Sequence, residues 1–246
     1  WLKFICIAIL SATLIFCSKQ KNPGTSTLCG TAELNSGSWL RLVRIDTAAY
    51  IPVDSVKPGK DGNFCLKLKP GMAGFYLLQN GDKTLVPVVI HPGDSISAFL
   101  RYDSVSISGG REAGFFDQYR KLLLAGESVA DSLGAVLSLA RDMDDYDKIR
   151  HSTDSAWEIL LQRTRDRGVE YLRQHNDFLS LILIINSKVQ QTYVFDQTTD
   201  SAWLFVADSL LAANHSGNPH VKAYHSRVGA MRKSFSDESH AREAMK

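Results

Sequence analysis

Four cysteines offer the clearest chemistry in this chain. Cys17 ends an almost unbroken apolar run from Trp1 to Phe16 (WLKFICIAILSATLIF), and Ser18, Lys19, Gln20, Lys21 and Asn22 follow at once. A membrane-spanning helix needs about 20 apolar residues. The core of an export signal needs about 7–15, with a positive charge before it, and Lys3 supplies one. The pattern predicts that the Cys17 thiol receives a diacylglycerol and that the signal is cut away in front of it. The acyl chains would then tether the chain to a membrane surface. Leu14 suits the third position before such a cut, whereas Phe16 stands where Gly, Ala or Ser is usual. The alternative is an uncleaved signal anchor. The chain begins with Trp rather than Met, so part of a charged leader is expected to be missing.

Cys6 lies inside the apolar run, which leaves Cys29 and Cys65 for the exported body, in a compartment where disulfides persist. Both lie in strand-like stretches. A disulfide across neighbouring strands and two separate buried thiols both fit. No C-x-x-C occurs, so the chain carries no dithiol redox centre.

The other reactive residues form no active-site pattern. His215, His220 and His225 are five apart, which on a helix turns successive side chains by about 140°, off a common face. Zinc spacings are absent, and His91 reads as a turn residue at a strand end. Asp142, Asp144, Asp145 and Asp147 lack the Gly and Glu of a calcium loop and read as solvated carboxylates near a helix start. Phosphate-binding glycine loops and hydrolase elbows are absent. No catalytic residue, cofactor or metal is therefore expected.

Two patterns point to binding or modification. Trp39, Tyr50, Phe75, Tyr76 and Tyr102 either line a sugar- or peptide-binding face or fill the core, and strand alternation favours the core. Asp followed by Ser or Thr and then an aliphatic residue occurs at Asp46, Asp54, Asp94, Asp103, Asp131, Asp154, Asp200 and Asp208. Composition alone would give roughly one or two such triplets. The triplet is similar to an O-glycosylation sequon of some Gram-negative envelope proteins, which makes Thr47, Ser55 and Ser104 candidate acceptors. Helix capping and strand-ending by Asp–Ser pairs would give the same pattern.

The elements that position these residues fall into two halves. Thr27 to about Ser108 reads as eight short strands: TLCGTAEL, SWLRLVRI, AYIPVDSV, GNFCLKL, GFYLLQ, TLVPVVI, SISAFLRY and SVSIS. Turn chemistry at 35–37, 58–62, 80–82 and 92–94 separates several of them. From Arg111 the period changes to that of helices. Phe115, Tyr119, Leu122 and Leu123 share a face; Val129, Leu133, Val136, Ala140 and Met143 recur at helical spacing; Trp157, Leu160, Leu161, Gly168, Tyr171 and Leu172 continue it; and Trp203, Val206, Leu210 and Ala213 form a further stripe. Asp200 or Ser201 is placed to cap the helix carrying Trp203, and Pro219 suits the first turn of a last helix reaching about Lys233. No second long apolar run is expected.

The predicted fold class is α+β: an antiparallel β-sandwich or barrel-like domain followed by a helical domain of five or six helices. The expected boundaries are a signal over 1–17, a tether over 18–26, a β-rich domain over 27–110, a helical domain over 111–235 and a frayed tail over 236–246. Hydrophobic residues make up 44% and charged residues 22%, with a formal net charge of +2. That suits a soluble body and is too balanced for an electrostatic grip on nucleic acid or anionic lipid.

Several segments resemble a known family. The opening C-G-T-A-E-L strand, the segment from Asp54 to Cys65 (DSVKPGKDGNFC), the strand–Pro-Gly-Asp–strand run from Val88 to Ile96 (VVIHPGDSI), and the exit Ile107–Ser108–Gly109–Gly110 into a helix with Phe115 and Phe116 carry the likeness. They resemble the N-terminal domain of unknown function that precedes thioredoxin-like domains in envelope lipoproteins of the TlpA/ResA/AhpC type. The helical half, ending Asn218 to Val228 (NPHVKAYHSRV), resembles the linker region that follows. In that family a thioredoxin-like domain with W-C-x-x-C would follow near residue 240. The resemblance implies a non-catalytic region of a Gram-negative envelope lipoprotein, anchored in the outer membrane and facing the periplasm. It would serve to anchor or dock a thiol–disulfide oxidoreductase, with a thioredoxin-like domain in cis or another envelope protein as partner. The rival reading is a stand-alone lipoprotein that binds a glycan or peptide.

Overall fold

The computed structural model describes residues 24–33, 38–81 and 83–244, with side chains described up to 237. Cys17, the apolar run and most of the tether lie outside the described residues. The eight expected strands are present as β1 (Ser26–Ala32), β2 (Leu40–Ile45), β3 (Tyr50–Val56), β4 (Asn63–Leu68), β5 (Gly74–Asn80), β6 (Lys83–Ile90), β7 (Ser95–Leu100) and β8 (Val105–Gly109). They form two four-stranded sheets, ordered β4-β1-β7-β8 and β3-β2-β5-β6. β4 and β7 bury every second residue, as strands with one solvated face do. Leu28, Leu66, Ile96, Ala98 and Leu100 of the first sheet meet Leu40, Leu42, Leu78, Val86 and Val88 of the second in one core. Pro52 and Pro87 lie in β3 and β6, which edge their sheet, so their missing N–H groups cost little pairing.

The sheets are not purely antiparallel: β1 and β7 run parallel. Alternation has the same period in both kinds of ladder, so the sequence is silent on direction. Gly30 faces Ala98 in this pairing, and a Cβ there would lie 1.7 Å from the Ala98 carbonyl oxygen. The two chains approach that closely only because Gly30 has no side chain.

Cys29 and Cys65 are register partners across β1 and β4 and form a disulfide, with Cys65 on the exposed face. The bridge spans 36 residues of sequence. Reduction is expected to lower unfolding free energy by about 3–4 kcal/mol, the loop-entropy value for a span of that size. Urea melts with and without reductant measure it, and superimposable curves would refute the assignment.

The second half contains α1 (Ala113–Ala140), α2 (Tyr146–Gln174), α3 (Leu181–Ile185), α4 (Ser201–His215) and α5 (Pro219–Ala244). A small hairpin, β9 (Lys188–Val189) and β10 (Thr192–Tyr193), interrupts them, which the helical reading did not expect. Phe116, Tyr119, Tyr171, Leu179, Ile184, Phe195 and Val228 form a second core, which Phe75 and Val89 join from the outer face of the β2–β5–β6 sheet. That sheet is therefore buried on both faces near the helices.

Four expectations need correcting. In α4 the buried residues are Leu204, Ala207, Asp208 and Leu211, whereas Val206 is exposed. Asp200 occupies the N-cap position of α4, but its carboxylate accepts from the Asp196 N–H and pairs with Arg165 instead of capping. The last helix continues to Ala244 rather than ending near Lys233 and fraying. The Ala, Arg and Glu residues of 241–244 are strong helix formers, which sustain a helix without an apolar stripe. Finally, α1 is long and apolar enough by composition to cross a membrane. Ala130 and Ala140 are buried, whereas Val129, Val136 and Leu139 are exposed.

Candidate functional site

Two polar arrangements sit where the sandwich meets the helices. The first is a buried joint. After β6 ends, the turn at Pro92–Gly93 brings Asp94 back so that its carboxylate accepts from the N–H groups of His91 (2.8 Å) and Arg111 (2.9 Å). The Ser26 hydroxyl donates to the His91 carbonyl at 2.7 Å. The His91 ring bonds through Nε2 to the carboxylate of Glu112, which is fully buried at the start of α1. Glu112 leaves its own helix uncapped and accepts from the N–H groups of Leu179 (3.1 Å) and Ser180 (2.7 Å). Ser180 in turn shares a 3.0 Å hydrogen bond with the Tyr171 hydroxyl. Burial pushes the Tyr171 pKa upward, keeping it protonated at neutral pH.

Nearby, Arg111 pairs with Asp177 at the surface. Its hydrogen bond holds the Asp177 carboxyl below the usual carboxylate range. A carboxylate lowered in this way stabilises the fold above its unfolded pKa of about 3.9, and that contribution fades as pH falls through the folded value. Asp177→Asn is expected to cost under about 1 kcal/mol at neutral pH, because the pair is exposed. It should also flatten the decline in melting temperature below about pH 4. Parallel acid limbs in variant and parent would contradict this.

The second arrangement is a groove of 370 Å³ at the end of the sandwich, between β2, the β4–β5 loop and the start of α5. Arg44 of β2 and Tyr76 of β5 are register partners and both line it. Leu68, Lys69 and Met72 come from β4 and the loop after it, and His220 from α5. Tyr76 is 3% exposed, and its hydroxyl, which reaches solvent, has no hydrogen-bond partner among the described residues. Burial raises its pKa, with Arg44 opposing in part. Gly74 leaves room for the ring, since a Cβ there would stand 3.3 Å from Tyr76 Cε2. The opposite wall is tied in place. Asn218 Nδ2 donates to the Ala73 carbonyl at 2.9 Å, His220 bonds the Ile45 carbonyl at 3.0 Å, and the His220 ring meets Phe75 edge-on at 5.0 Å.

A shallower hollow of 390 Å³ lies between α1 and α2. Its polar side chains engage one another: Arg167 pairs with Glu170 at 2.7 Å, and Gln174 donates to Glu170 at 3.1 Å.

The structure distributes the sequence-predicted residues widely. Thr47, Ser55 and Ser104 are all exposed, Thr47 and Ser104 in or beside bends and Ser55 in β3. Asp46 accepts from the Thr47 N–H and Asp54 from the Ser55 N–H, whereas Asp94, Asp200 and Asp208 are buried in structural bonds. Phe75 and Tyr76 are buried, while Trp39, Tyr50 and Tyr102 are exposed. His215, His220 and His225 bond separately to the Asp177 carbonyl, the Ile45 carbonyl and the Asp208 carboxylate. The exposed acidic cluster spans the α1–α2 turn and the first turn of α2, and no group among the described residues has metal-site geometry. His91 is a turn residue, but its ring contact to Glu112 was not foreseen. Arg44, Lys69 and Met72 also went unnoticed. The one available signal was the loop Pro70–Gly71–Met72–Ala73–Gly74, which places an exposed Met between small residues.

No family model matches the chain, and no curated protein matches it.

Proposed function

We propose that this chain is a non-catalytic binding and docking part of a lipid-anchored envelope protein, with the groove beside Tyr76 as its ligand site. The observation that supports this reading most is a tyrosine with a buried ring, whose hydroxyl has no hydrogen-bond partner among the described residues, in the lining of a mostly apolar groove. A concave, mostly apolar site with a few polar groups suits a ligand. The Glu112 carboxylate has both oxygens committed to structural bonds, which fits holding the sandwich to the helices better than turning over a substrate.

Cys17 would provide the tether. Cys17→Ser is expected to shift the chain from the membrane fraction to the soluble envelope fraction, and unchanged partitioning would remove the anchor from this reading. For the groove, the test is a panel of short peptides and sugars titrated against isotope-labelled protein. Amide shifts confined to 71–74, 218 and 220 support it; shifts confined to any other surface refute it.

A second reading, association with a thioredoxin-like oxidoreductase in the same envelope, draws support from the solvent-facing Cys29–Cys65 disulfide. An exposed disulfide can be reached by an external thiolate.

A further inference from the structure

We propose that the ligand of this groove is an apolar chain or side chain that ends in a carboxylate, an inference that rests on the groove being the binding site. Three polar groups in the lining favour an anion. The Tyr76 hydroxyl is free to donate. The Arg44 guanidinium lies across β2–β5 from it and is about half exposed, at 47%. The Lys69 ammonium has no ion-pair partner among the described residues. Asp46 is the one carboxylate in the lining, and it is already occupied: it accepts from the Thr47 N–H at 2.7 Å and lies 3.5 Å from Arg44. A ligand carboxylate would therefore meet a hydroxyl donor, the Lys69 ammonium and an Arg44 guanidinium that Asp46 engages on one side, whereas a ligand ammonium would meet more positive than negative charge.

The rest of the lining selects an apolar body. Ile45, Val53, Leu68, Met72 and Ala73 face the same space, and Tyr76 is its only tyrosine, phenylalanine or tryptophan. A sugar site wants an aromatic face to stack on and several paired polar side chains; here the ring of Tyr76 is buried and only its hydroxyl is on offer. A volume of 370 Å³ equals about a dozen water volumes at ~30 Å³ each, room for a short acyl chain or two to three apolar residues. Met72 is half exposed, and its flexible thioether can adapt to either.

Calorimetry on the full chain in lipid nanodiscs separates the outcomes. The probes are hexanoate against hexanamide, and acetyl-Ala-Leu-Leu with a free against an amidated C-terminus. Each acid is expected to bind about tenfold or more tightly than its amide, because bonds to a charged acceptor are the stronger ones. Tyr76→Phe and Arg44→Gln should each weaken the acid about tenfold. Tyr76→Phe should leave the melting temperature unchanged, since its hydroxyl has no partner to lose. A preference for hexanoate over the peptide acid assigns a free fatty acid; the reverse assigns a peptide C-terminus.

Equal binding of acid and amide at 70–74 overturns the carboxylate assignment while leaving the groove as a binding site. Tight acid binding that ignores both substitutions places the carboxylate elsewhere and overturns it as well. If neither probe pair nor hexylammonium nor hexyl glucoside shifts the groove amides, both the ligand class and the groove reading fail.

Discussion

Glu112→Ala is expected to lower the unfolding free energy by about 3–5 kcal/mol, the range for removing one partner from a buried charged network. Glu112 is 0% exposed, and its carboxylate joins three elements: His91 after β6, its own position at the head of α1, and the Leu179 and Ser180 N–H groups before α3. Truncation strands two backbone donors and a buried imidazole together, and each unsatisfied donor costs roughly 1–3 kcal/mol. Glu112→Gln keeps one acceptor oxygen and most of the shape, so its cost should be smaller, about 1–3 kcal/mol. Guanidinium melts followed by near-ultraviolet dichroism measure both. Equal midpoints for the alanine variant and the parent would mean that the joint does not hold the sandwich to the helices.

Gly30→Ala should be at least as damaging. The new methyl would sit 1.7 Å from a backbone oxygen of β7, and backbone cannot rotate aside as a flexible side chain can. β1 lies between β4 and β7, so opening one ladder disturbs the other. Overpacking typically costs about 1–3 kcal/mol and more where backbone must move; a loss above about 3 kcal/mol, or failure to accumulate folded protein, is the expected result. Gly229→Ala is the internal control. Gly229 lies in α5 with nothing within 4 Å of a new Cβ. It should gain about 0.5–1 kcal/mol from helix propensity. If Gly30→Ala behaves like Gly229→Ala, the parallel contact between β1 and β7 is wrong.

Much of the fold was legible because it is written in local periods. All eight strands of the sandwich lie within a few residues of where alternation and turn residues placed them. Pro219 opens α5 as its position predicted. Legibility fell where several faces of a helix are apolar. In α4 Trp203, Leu204, Phe205, Val206 and Ala207 follow one another, so spacing cannot choose a face. The inward side carries Asp208, a residue no hydrophobic stripe would include. It is buried at 2% exposure because His225 and Arg232 pair with it. α1 shows the converse: the stripe through Val129, Leu133, Val136 and Ala140 is helical, with Met143 in the turn beyond it, yet Val129 and Val136 are exposed and Ala140 is buried.

By itself, then, the sequence determined the order and type of the eight sandwich strands and the helical character of the second half, along with the thiol that ends the apolar run. These depend on neighbours two to four residues apart, which is the reach of strand and helix geometry. Only the tertiary structure decided which strands pair and in which direction, that Cys29 meets Cys65, that Glu112 bonds donors 67 and 68 residues away, and that Arg44, Tyr76 and His220 share one groove. Those contacts arise where separate surfaces pack. They are set by which groups must be satisfied out of water, a condition that no stretch of local sequence contains.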